Sequence, residues 1–292
     1  MRAAVVAHRG KTFGGGLPEL RRVLDAEGVD DLLWFEVAKS RKAPPLVRRA
    51  VEQGAELVFA WGGDGMVQRC VDVLAGSDVA LAVLPAGTAN LFATNLRIPT
   101  DLEGAVAVGL RGQRRRLDVG TFDGEKFAVM AGVGFDAQMI RGAGGGDLKT
   151  RLGRAAYVWS ASTSLRKKPF KARVKADGRT WYKGKASCIL LGNLGELFGG
   201  VKVFEESRPD DGKLDVAVVT ADGLIEWSRV LGRLASGKPS KSRLARTTQA
   251  RSVSVVLSRK VRYELDGGDR TKVKHFKAKA KAGAVTVCVP LR

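Results

Sequence analysis

The sequence is poor in cysteine and has no long apolar segment, and both shortages exclude classes of protein. Cys70, Cys188 and Cys288 are far apart, odd in number and each set in an apolar run, which argues against a disulfide framework or cysteine metal site and predicts buried thiols. No uncharged apolar stretch reaches the roughly 20 residues of a membrane-spanning helix. The start, MRAAVVAHRGK, lacks the features of a signal peptide, so we expect a cytoplasmic protein.

Several common catalytic and nucleotide-binding motifs are also missing. The chain has no Walker A sequence, no G-x-G-x-x-G after its first apolar run and no G-x-S-x-G. Its two histidines, His8 and His275, are too isolated to suggest a catalytic triad or a zinc site. These absences argue against ordinary P-loop and Rossmann nucleotide binding and against the chemistry of serine hydrolases.

Acidic residues are scarce relative to basic ones. Thirty Asp and Glu stand against 50 Lys and Arg, which gives a formal charge of +20. An anionic membrane, a nucleic acid and a merely solvated basic surface are all compatible with this charge. Clusters such as RGQRRR, LRKKPFKARVK and KPSKSRLAR contribute to it. Because no recognised nucleic-acid-binding module is present, we expect no specific nucleic-acid partner.

The first 116 residues alternate between apolar runs and segments of helical periodicity. The runs AAVVAH, LLWFEVA, ELVFAW and VALAVLP predict strands, and the segments between them predict helices. Near-continuous apolar strands are typical of a parallel sheet covered on both faces. The last segment, TDLEGAVAVGLRG, has the pattern of a capping box formed by Thr100 and Glu103. We therefore predict a parallel α/β domain over residues 1–116.

Residues 117–292 have a different pattern. Short strands joined by Asp-Gly turns, as in DVGTFDGEKFAVM and FKARVKADGRTWYKG, predict a mainly β domain. Two helical segments, DLKTRLGRAAYVWSASTSLRKK and GLIEWSRVLGRLAS, interrupt it. A cleft between two such domains is the natural place for a substrate. The sequence leaves oligomerisation open.

A glycine turn, GGDG, follows the predicted strand ELVFAW. Gly62, Gly63 and Gly65 allow backbone N–H groups to wrap a phosphate at the start of the next helix. Asp64 does not suit this role, because a bare carboxylate repels phosphate unless Mg²⁺ stands between them or the carboxylate accepts a proton from an attacking hydroxyl. The turn therefore predicts a phosphate site with a metal or a hydroxyl beside it.

A second loop, LPAGTANLFA, follows the predicted strand VALAV. Gly87 allows close approach of a ligand, and Thr88 and Asn90 open a helix whose first N–H groups can hold a nucleotide. Ligands of parallel sheets bind beyond the carboxyl ends of the strands, where both loops are expected. One such loop is often a plain connection, but two at adjacent strand ends predict a nucleotide site.

The order of these motifs resembles the diacylglycerol kinase catalytic family, which includes sphingosine kinases and bacterial lipid kinases. GGDG is followed by LPAGTANLFA, AGVGFDA, RPDDGKLDV and YELDGG, so the resemblance covers nearly the whole chain. It implies an α/β nucleotide-binding domain of the NAD kinase/diacylglycerol kinase type and a β-sandwich-like second domain, with a last strand able to return to the first. The implied activity is transfer of the γ-phosphate of ATP to a lipid hydroxyl.

The resemblance also implies roles for particular residues. Nucleotide contacts fall on both glycine loops and the start of the helix after the first, namely Gly62, Gly63, Asp64, Gly65, Met66, Arg69, Gly87, Thr88 and Asn90. A structural Mg²⁺ is implied at the Asp211 carboxylate and the carbonyls of Leu214 and Val216. Asp266 becomes the candidate general base, with Asp64 as the other catalytic candidate.

The chain departs from the family pattern at several positions. Met66, Gln68 and Arg69 stand where the family has a threonine and then an Asn-Glu pair, and Arg69 offers a cation that can grip a phosphate. Gly268 replaces the glutamate of the family's Asp-Gly-Glu. Asp269 follows one residue later, where a strand turns its side chain to the opposite face.

Two hypotheses of different classes result. The first is an ATP- and Mg²⁺-dependent lipid kinase, peripherally bound to the inner face of the membrane, which phosphorylates a diacylglycerol-like or sphingoid-like alcohol and docks on anionic lipid through its basic surface. The alternative is a catalytically impaired accessory or sensor protein that keeps the kinase fold and binds nucleotide or lipid. A soluble-substrate kinase resembling the NAD kinases fits less well, because the later motifs follow the lipid kinases.

Overall fold

The computed structural model describes residues 1–134, 169–197, 201–235 and 242–291. The chain divides into two compact units. The first comprises Met1–Val119 and Ala282–Arg292, and the second comprises Gly120–Lys281. The predicted helical segment at residues 147–168 and the second half of the AGVGFDA motif lie outside the described residues.

A parallel sheet with helices forms the first unit. The sheet order is β4-β3-β1-β2, and every pair is parallel. The predicted near-continuous apolar strands are buried along their whole length in β3 and β4. The elements in chain order are β1 (Ala3–His8), α1 (Gly16–Ala26), β2 (Leu32–Val37), α2 (Ala43–Glu52), β3 (Leu57–Gly62), α3 (Asp64–Leu74), β4 (Ala80–Pro85), α4 (Leu91–Asn95) and α5 (Leu102–Arg111).

The helix α5 begins differently from the sequence prediction. Asp101 is its N-cap, and the Oδ1 of Asp101 accepts a hydrogen bond from the backbone N–H of Gly104 at 2.7 Å. The predicted capping box of Thr100 and Glu103 is therefore wrong. Asp101 is a strong N-cap residue whose negative charge also suits the positive helix end, and it is one residue closer to the helix than Thr100.

Antiparallel strands dominate the second unit. β13 lies between β14 and β10, β7 lies between β10 and β15, and β15 also pairs with β16 and β8. The elements are β5 (Gln113–Phe122), β6 (Glu125–Phe127), β7 (Met130–Val133), β8 (Phe170–Ala176), β9 (Arg179–Ala186), β10 (Cys188–Gly192), β11 (Glu196–Leu197), β12 (Val201–Lys202), β13 (Leu214–Val219), α6 (Gly223–Ala235), β14 (Ala245–Ala250), β15 (Ser252–Leu265) and β16 (Gly268–Val289).

The strands β5 and β16 each contribute residues to both units. β5 begins in the first unit and ends in the second, whereas β16 begins in the second and ends in the first. Near its end, Thr286 and Val287 of β16 pair in parallel with Ala80 and Leu81 of β4. The first unit therefore includes a strand supplied by the last residues of the described chain.

Three Asp-Gly turns join consecutive strands of the second unit, at Asp123, Asp177 and Asp266. All three aspartates have a φ of 46°, and the glycines that follow them have φ of 92°, 83° and 75°. Positive φ at both central residues defines the type I′ turn, which matches the twist of a two-residue hairpin. The predicted fold class, a parallel α/β domain followed by a mainly β domain, is confirmed. Within the described residues, no helix is long and apolar enough to cross a membrane.

Candidate functional site

The two glycine loops lie side by side at the carboxyl edge of the parallel sheet. β3 ends at Gly62 and β4 ends at Pro85, and these two residues are paired in register. The loop after β3 leads into α3, and the loop after β4 leads into α4. The structure therefore brings together the two segments in which the sequence predicted nucleotide contacts.

Close packing explains two of the four glycines in these loops, Gly62 and Gly87. A Cβ added to Gly87 would lie 2.4 Å from the Cα of Gly63, and one added to Gly62 would lie 2.6 Å from the Cβ of Met66. Both distances are too short for a side chain. Glycine at 87 lets the two loops touch, and glycine at 62 makes room for Met66 of the same loop. Gly65 differs, because a Cβ there would meet no heavy atom within 4 Å and the residue is exposed. Its bare backbone faces open space.

Asp64 links the two loops. It is the first residue of α3, and its Oδ1 accepts a hydrogen bond from the backbone N–H of Phe92 at 2.9 Å, with the N–H of Leu91 as a further donor. These N–H groups open α4, so the carboxylate caps that helix from the neighbouring loop. Burial raises the pKa of Asp64, and the backbone donors partly oppose this. The N–H groups expected to hold a nucleotide are thus bonded to Asp64.

Asn90 closes the second loop upon itself. Its backbone is in the left-handed region, with a φ of 49°. Its Oδ1 accepts from the N–H of Gly87 at 2.8 Å, and its Nδ2 donates to the carbonyls of Pro85 and Gly87 at 3.0 and 2.9 Å. The Asn90 side chain therefore shapes the loop, and its contact with a nucleotide stays a prediction. Thr88 is exposed at the loop tip.

Met66 and Arg69, two further predicted nucleotide contacts, have partners within the protein. The Met66 side chain is fully buried, and its backbone N–H donates to the carbonyl of Gly63 at 2.8 Å, so Met66 supports the turn from the core. Arg69 lies on α3, where its Nη1 is 3.1 Å from the Oδ2 of Asp72. A phosphate would have to compete with this ion pair for the guanidinium.

His8 lies beside the first glycine loop, a position that sequence reasoning overlooked. It ends β1, the strand beside β3, and its Cβ would lie 3.8 Å from a Cβ built on Gly62. The Nδ1 of His8 accepts a hydrogen bond from the backbone N–H of Gly10 at 3.1 Å, so the neutral ring carries its proton on Nε2. The position of His8 at the end of the first predicted strand could have indicated this place. The sequence alone does not show it, because β1 and β3 become neighbours only when the sheet forms.

In the second unit, the carboxylate of Asp266 is held by three backbone donors. The N–H of Ala128 donates to Oδ2 at 2.7 Å, and those of Val129 and Met130 donate to Oδ1 at 2.8 and 2.9 Å. Asp266 is only 9% exposed. The turn therefore presents a fixed, buried carboxylate.

Gly268 lies beside a cation. A Cβ added to Gly268 would be 2.8 Å from the Nη1 of Arg270, whose guanidinium also pairs with Glu125 through Nε at 3.0 Å. Asp269, one residue later, is exposed. A side chain at position 268 would therefore meet the guanidinium of Arg270, which is itself paired with the carboxylate of Glu125.

The residues predicted to hold Mg²⁺ lie at and near the start of β13. The Oδ1 of Asp211 accepts from the N–H of Lys213 at 2.9 Å, which forms a tight turn before the strand. Leu214 and Val216 are fully buried, and β13 is paired on both sides. No cluster of three or more His, Cys, Asp or Glu with metal-site geometry occurs in the parts of the chain that the structure describes. The predicted set would supply one carboxylate and two carbonyls.

An acidic cavity lies close to that turn, and Asp215 is the residue that the sequence prediction overlooked. The cavity has a volume of about 390 Å³, and its lining includes Asp215, Glu205 and Glu206. Asp215 is 7% exposed and accepts a hydrogen bond from the Nε2 of Gln249 at 2.9 Å. Burial raises the pKa of Asp215, hydrogen bonds oppose this, and the charges of Asp211 and Glu206 raise it further. Such a concentration of negative charge favours a cation.

Comparison with known proteins identifies both parts of the chain. A family model of the diacylglycerol kinase catalytic domain matches residues 10–122, and a model of the YegS C-terminal NAD kinase beta sandwich-like domain matches residues 128–289. A diacylglycerol kinase of Bacillus subtilis (strain 168) is 30% identical over 216 residues, which cover 73% of this chain and 71% of that protein. The uncharacterized protein sll0036 of Synechocystis is 29% identical over 219 residues, or 71% of this chain and 49% of that protein.

The fold is shared with solved structures. The crystal structure of a diacylglycerol kinase from Bacillus anthracis str. Sterne superposes with a TM-score of 0.76 at 19% identity, covering 99% of this chain and 96% of that one. The resemblance seen in the motifs is therefore confirmed. This chain belongs to the diacylglycerol kinase catalytic domain family, in the group that adds a YegS-type C-terminal domain.

Proposed function

We propose that this protein is a lipid kinase that transfers the γ-phosphate of ATP to the hydroxyl of a lipid alcohol of the diacylglycerol or sphingoid type. Family membership supports the reaction class. The observation that carries the proposal is the interlocked pair of glycine loops, in which Asp64 caps α4 while Gly65 leaves open space at the start of α3. Two loops that are fixed to each other beside an open stretch of backbone are suited to holding a phosphate chain in one position.

On the nucleotide side, the protein's contribution is positioning. Phosphates would approach the N-terminal end of α3 at Gly65, where the helix offers its positive end. His8, at the end of the neighbouring strand, would donate from Nε2 to a phosphate oxygen. Asp64 and Asn90 do not contact the nucleotide in this scheme; they keep the two loops in one arrangement.

On the acceptor side, we assign the proton to Asp266. The lipid oxygen forms a bond to the γ-phosphorus, the bond from that phosphorus to the β,γ-bridging oxygen breaks, ADP leaves, and the hydroxyl proton passes to the Asp266 carboxylate. Three backbone donors hold this carboxylate in one orientation.

Mg²⁺ is proposed at two places. With ATP it would neutralise charge on the β- and γ-phosphate oxygens. In the second unit it would be held by the Asp211 carboxylate and the carbonyls of Leu214 and Val216, beside the acidic cavity at Asp215. The fit is supported by the acidic lining of that cavity, where Asp215, Glu205 and Glu206 lie together, since a divalent cation would neutralise their charge.

The proposal is tested with the purified protein, γ-labelled ATP, Mg²⁺ and mixed micelles that contain either diacylglycerol or a sphingoid base. Label in the organic phase with one alcohol and not the other supports the kinase and names its substrate class. An Asp64→Asn protein should bind ATP more weakly and lose activity mainly through KM. Absence of label with every lipid alcohol, while the protein still binds ATP, would contradict the proposal.

The second candidate function is an accessory or sensor protein that binds nucleotide or lipid without transfer. The observation that favours it is at Gly268, which has no carboxylate and lies beside the guanidinium of Arg270. Gly268→Glu separates the two candidates. If the wild type shows no transfer and Gly268→Glu restores label to lipid, the chain is an impaired kinase that serves another role.

A further inference from the structure

One face of the second unit concentrates basic side chains on four neighbouring strands. β9 pairs with β8, β8 with β15, and β15 with β16. In one row across these strands, Lys183 lies opposite Arg173, Arg173 opposite Val256, and Val256 opposite His275. The exposed cations of this face, which we call the basic sheet face, are Lys171, Arg173, Lys175, Lys183, Lys185, Lys277 and Lys279.

Some of these cations directly face one another. Lys171 lies opposite Lys185, and Arg173 lies opposite Lys183. Like charges in directly opposed positions of an antiparallel pair destabilise the sheet. Two such pairs side by side leave a repulsion that an external anionic surface would relieve.

Within the described residues, the aspartates at the margin of this face form no ion pair with its cations. The Oδ1 of Asp177 accepts from the N–H of Ser252 at 2.8 Å, and the Oδ1 of Asp123 accepts from the N–H of Lys277 at 2.8 Å. Both carboxylates belong to type I′ turns at its margin and are bonded to backbone groups. The lysine ammonium groups of the face therefore remain available to an external partner.

The centre of the face is apolar and uncrowded. Val256 is 54% exposed, which makes it one of the few exposed large apolar side chains among the described residues. Along β15 its neighbours on this face are Ser254 and Ser258, which are small, and across the strands they are Arg173 and His275. None of the outward positions on these four described strands is Phe, Tyr or Trp, so the face lacks the aromatic platform on which single-stranded nucleic acids stack.

We infer that the basic sheet face docks on an anionic lipid bilayer. A flat array of lysines matches the spread of charge on a phospholipid surface, where each cation near the surface strengthens binding about fivefold. Val256 can enter the interfacial region at the centre of the contact. The inference rests on the proposed function only in its choice of a bilayer as the partner, because the alcohol substrate of a lipid kinase lies there.

The test measures sedimentation with vesicles of equal parts phosphatidylglycerol and phosphatidylcholine, without ATP. The variant Arg173→Glu, Lys175→Glu, Lys277→Glu should lower the partition coefficient at least about a hundredfold at low salt. The control variant Arg48→Glu, Lys202→Glu, Arg229→Glu makes the same change in net charge at exposed positions elsewhere and should stay within a few-fold of wild type. Vesicles of phosphatidylcholine alone should bind none of the proteins.

Each other outcome overturns the inference. Equal losses in both triple variants would show that total charge, not this face, controls binding, and no loss in the first would exclude the face directly. Tighter binding to a short duplex than to the vesicles, lost in the same variant, would make nucleic acid the partner. Circular dichroism checks folding, and micellar kinase activity is measured separately, so loss of vesicle binding with unchanged activity distinguishes this inference from the proposed function.

Discussion

At the scale of single residues, side chains that the sequence predicted as nucleotide contacts have partners within the protein itself. Asp64 caps α4, Asn90 closes its own loop, and Met66 lies in the core. The sequence predicted that these loops meet, because glycines followed two neighbouring strands. It did not predict which atoms bond, because Asp64 and Phe92 are 28 residues apart and meet only after both loops pack.

Gly87 and Gly65 make a matched pair for testing the loop junction. Gly87→Ala places a Cβ 2.4 Å from the Cα of Gly63, so the free energy of unfolding should fall by about 1–3 kcal/mol and ATP binding should fail with it. Gly65→Ala meets no neighbour, so its stability should hold or rise slightly while ATP affinity falls about tenfold. Urea denaturation measures the free energy of unfolding, and calorimetric titration measures the ATP affinity. Unchanged ATP affinity in Gly65→Ala would remove this glycine from the phosphate site.

At the scale of elements, the pattern of strands and helices was predictable where periodicity was long and regular. β3 and β4 were visible as apolar runs because both faces of a parallel strand are covered. The type I′ hairpins were visible as Asp-Gly pairs, since these residues accept positive φ most easily. The start of α5 was mispredicted, because Thr100 and Asp101 are both good N-caps and backbone geometry decides between them.

The cap of α5 gives a prediction about stability. Asp101→Ala removes the acceptor for the Gly104 N–H and a favourable charge at the helix start, so unfolding should become easier by about 0.5–2 kcal/mol. Thr100→Ala serves as the control and should change stability by less than about 0.5 kcal/mol. Chemical denaturation of the three proteins measures both effects, and a larger cost at Thr100 would support the capping box instead.

At the scale of the whole molecule, the charge of +20 conceals separate concentrations of opposite sign. The second unit carries both the basic sheet face and the acidic cavity at Asp215. Composition predicted an attraction to polyanions, but it did not locate the basic sheet face or the acidic cavity. Strand register decides which lysines share a face, and composition contains no register. The cavity was hidden in RPDDGKLDV, where Asp215 reads as an ordinary strand residue.

The proposed structural cation should stabilise the folded protein. Mg²⁺ at about a hundred times its Kd should raise the free energy of unfolding by about 2.7 kcal/mol in the wild type. Asp211→Asn should abolish most of this gain, whereas Asp210→Asn, a change at the exposed neighbouring residue, should keep it. Thermal unfolding with Mg²⁺ and with chelator gives the comparison. An equal gain in both variants would place the cation elsewhere.

The most direct test of the central claim compares phosphoryl transfer by the wild type, Asp266→Asn and Asp177→Asn. The two aspartates begin turns of the same type with the same φ, and both accept hydrogen bonds from backbone N–H groups. If Asp266 accepts the proton of a lipid hydroxyl, its asparagine variant should lose about a hundredfold or more in kcat while Asp177→Asn stays near wild type. Equal and small effects of both variants, with folding intact, would contradict the assignment of Asp266. No transfer by the wild type to any lipid alcohol would contradict the kinase itself.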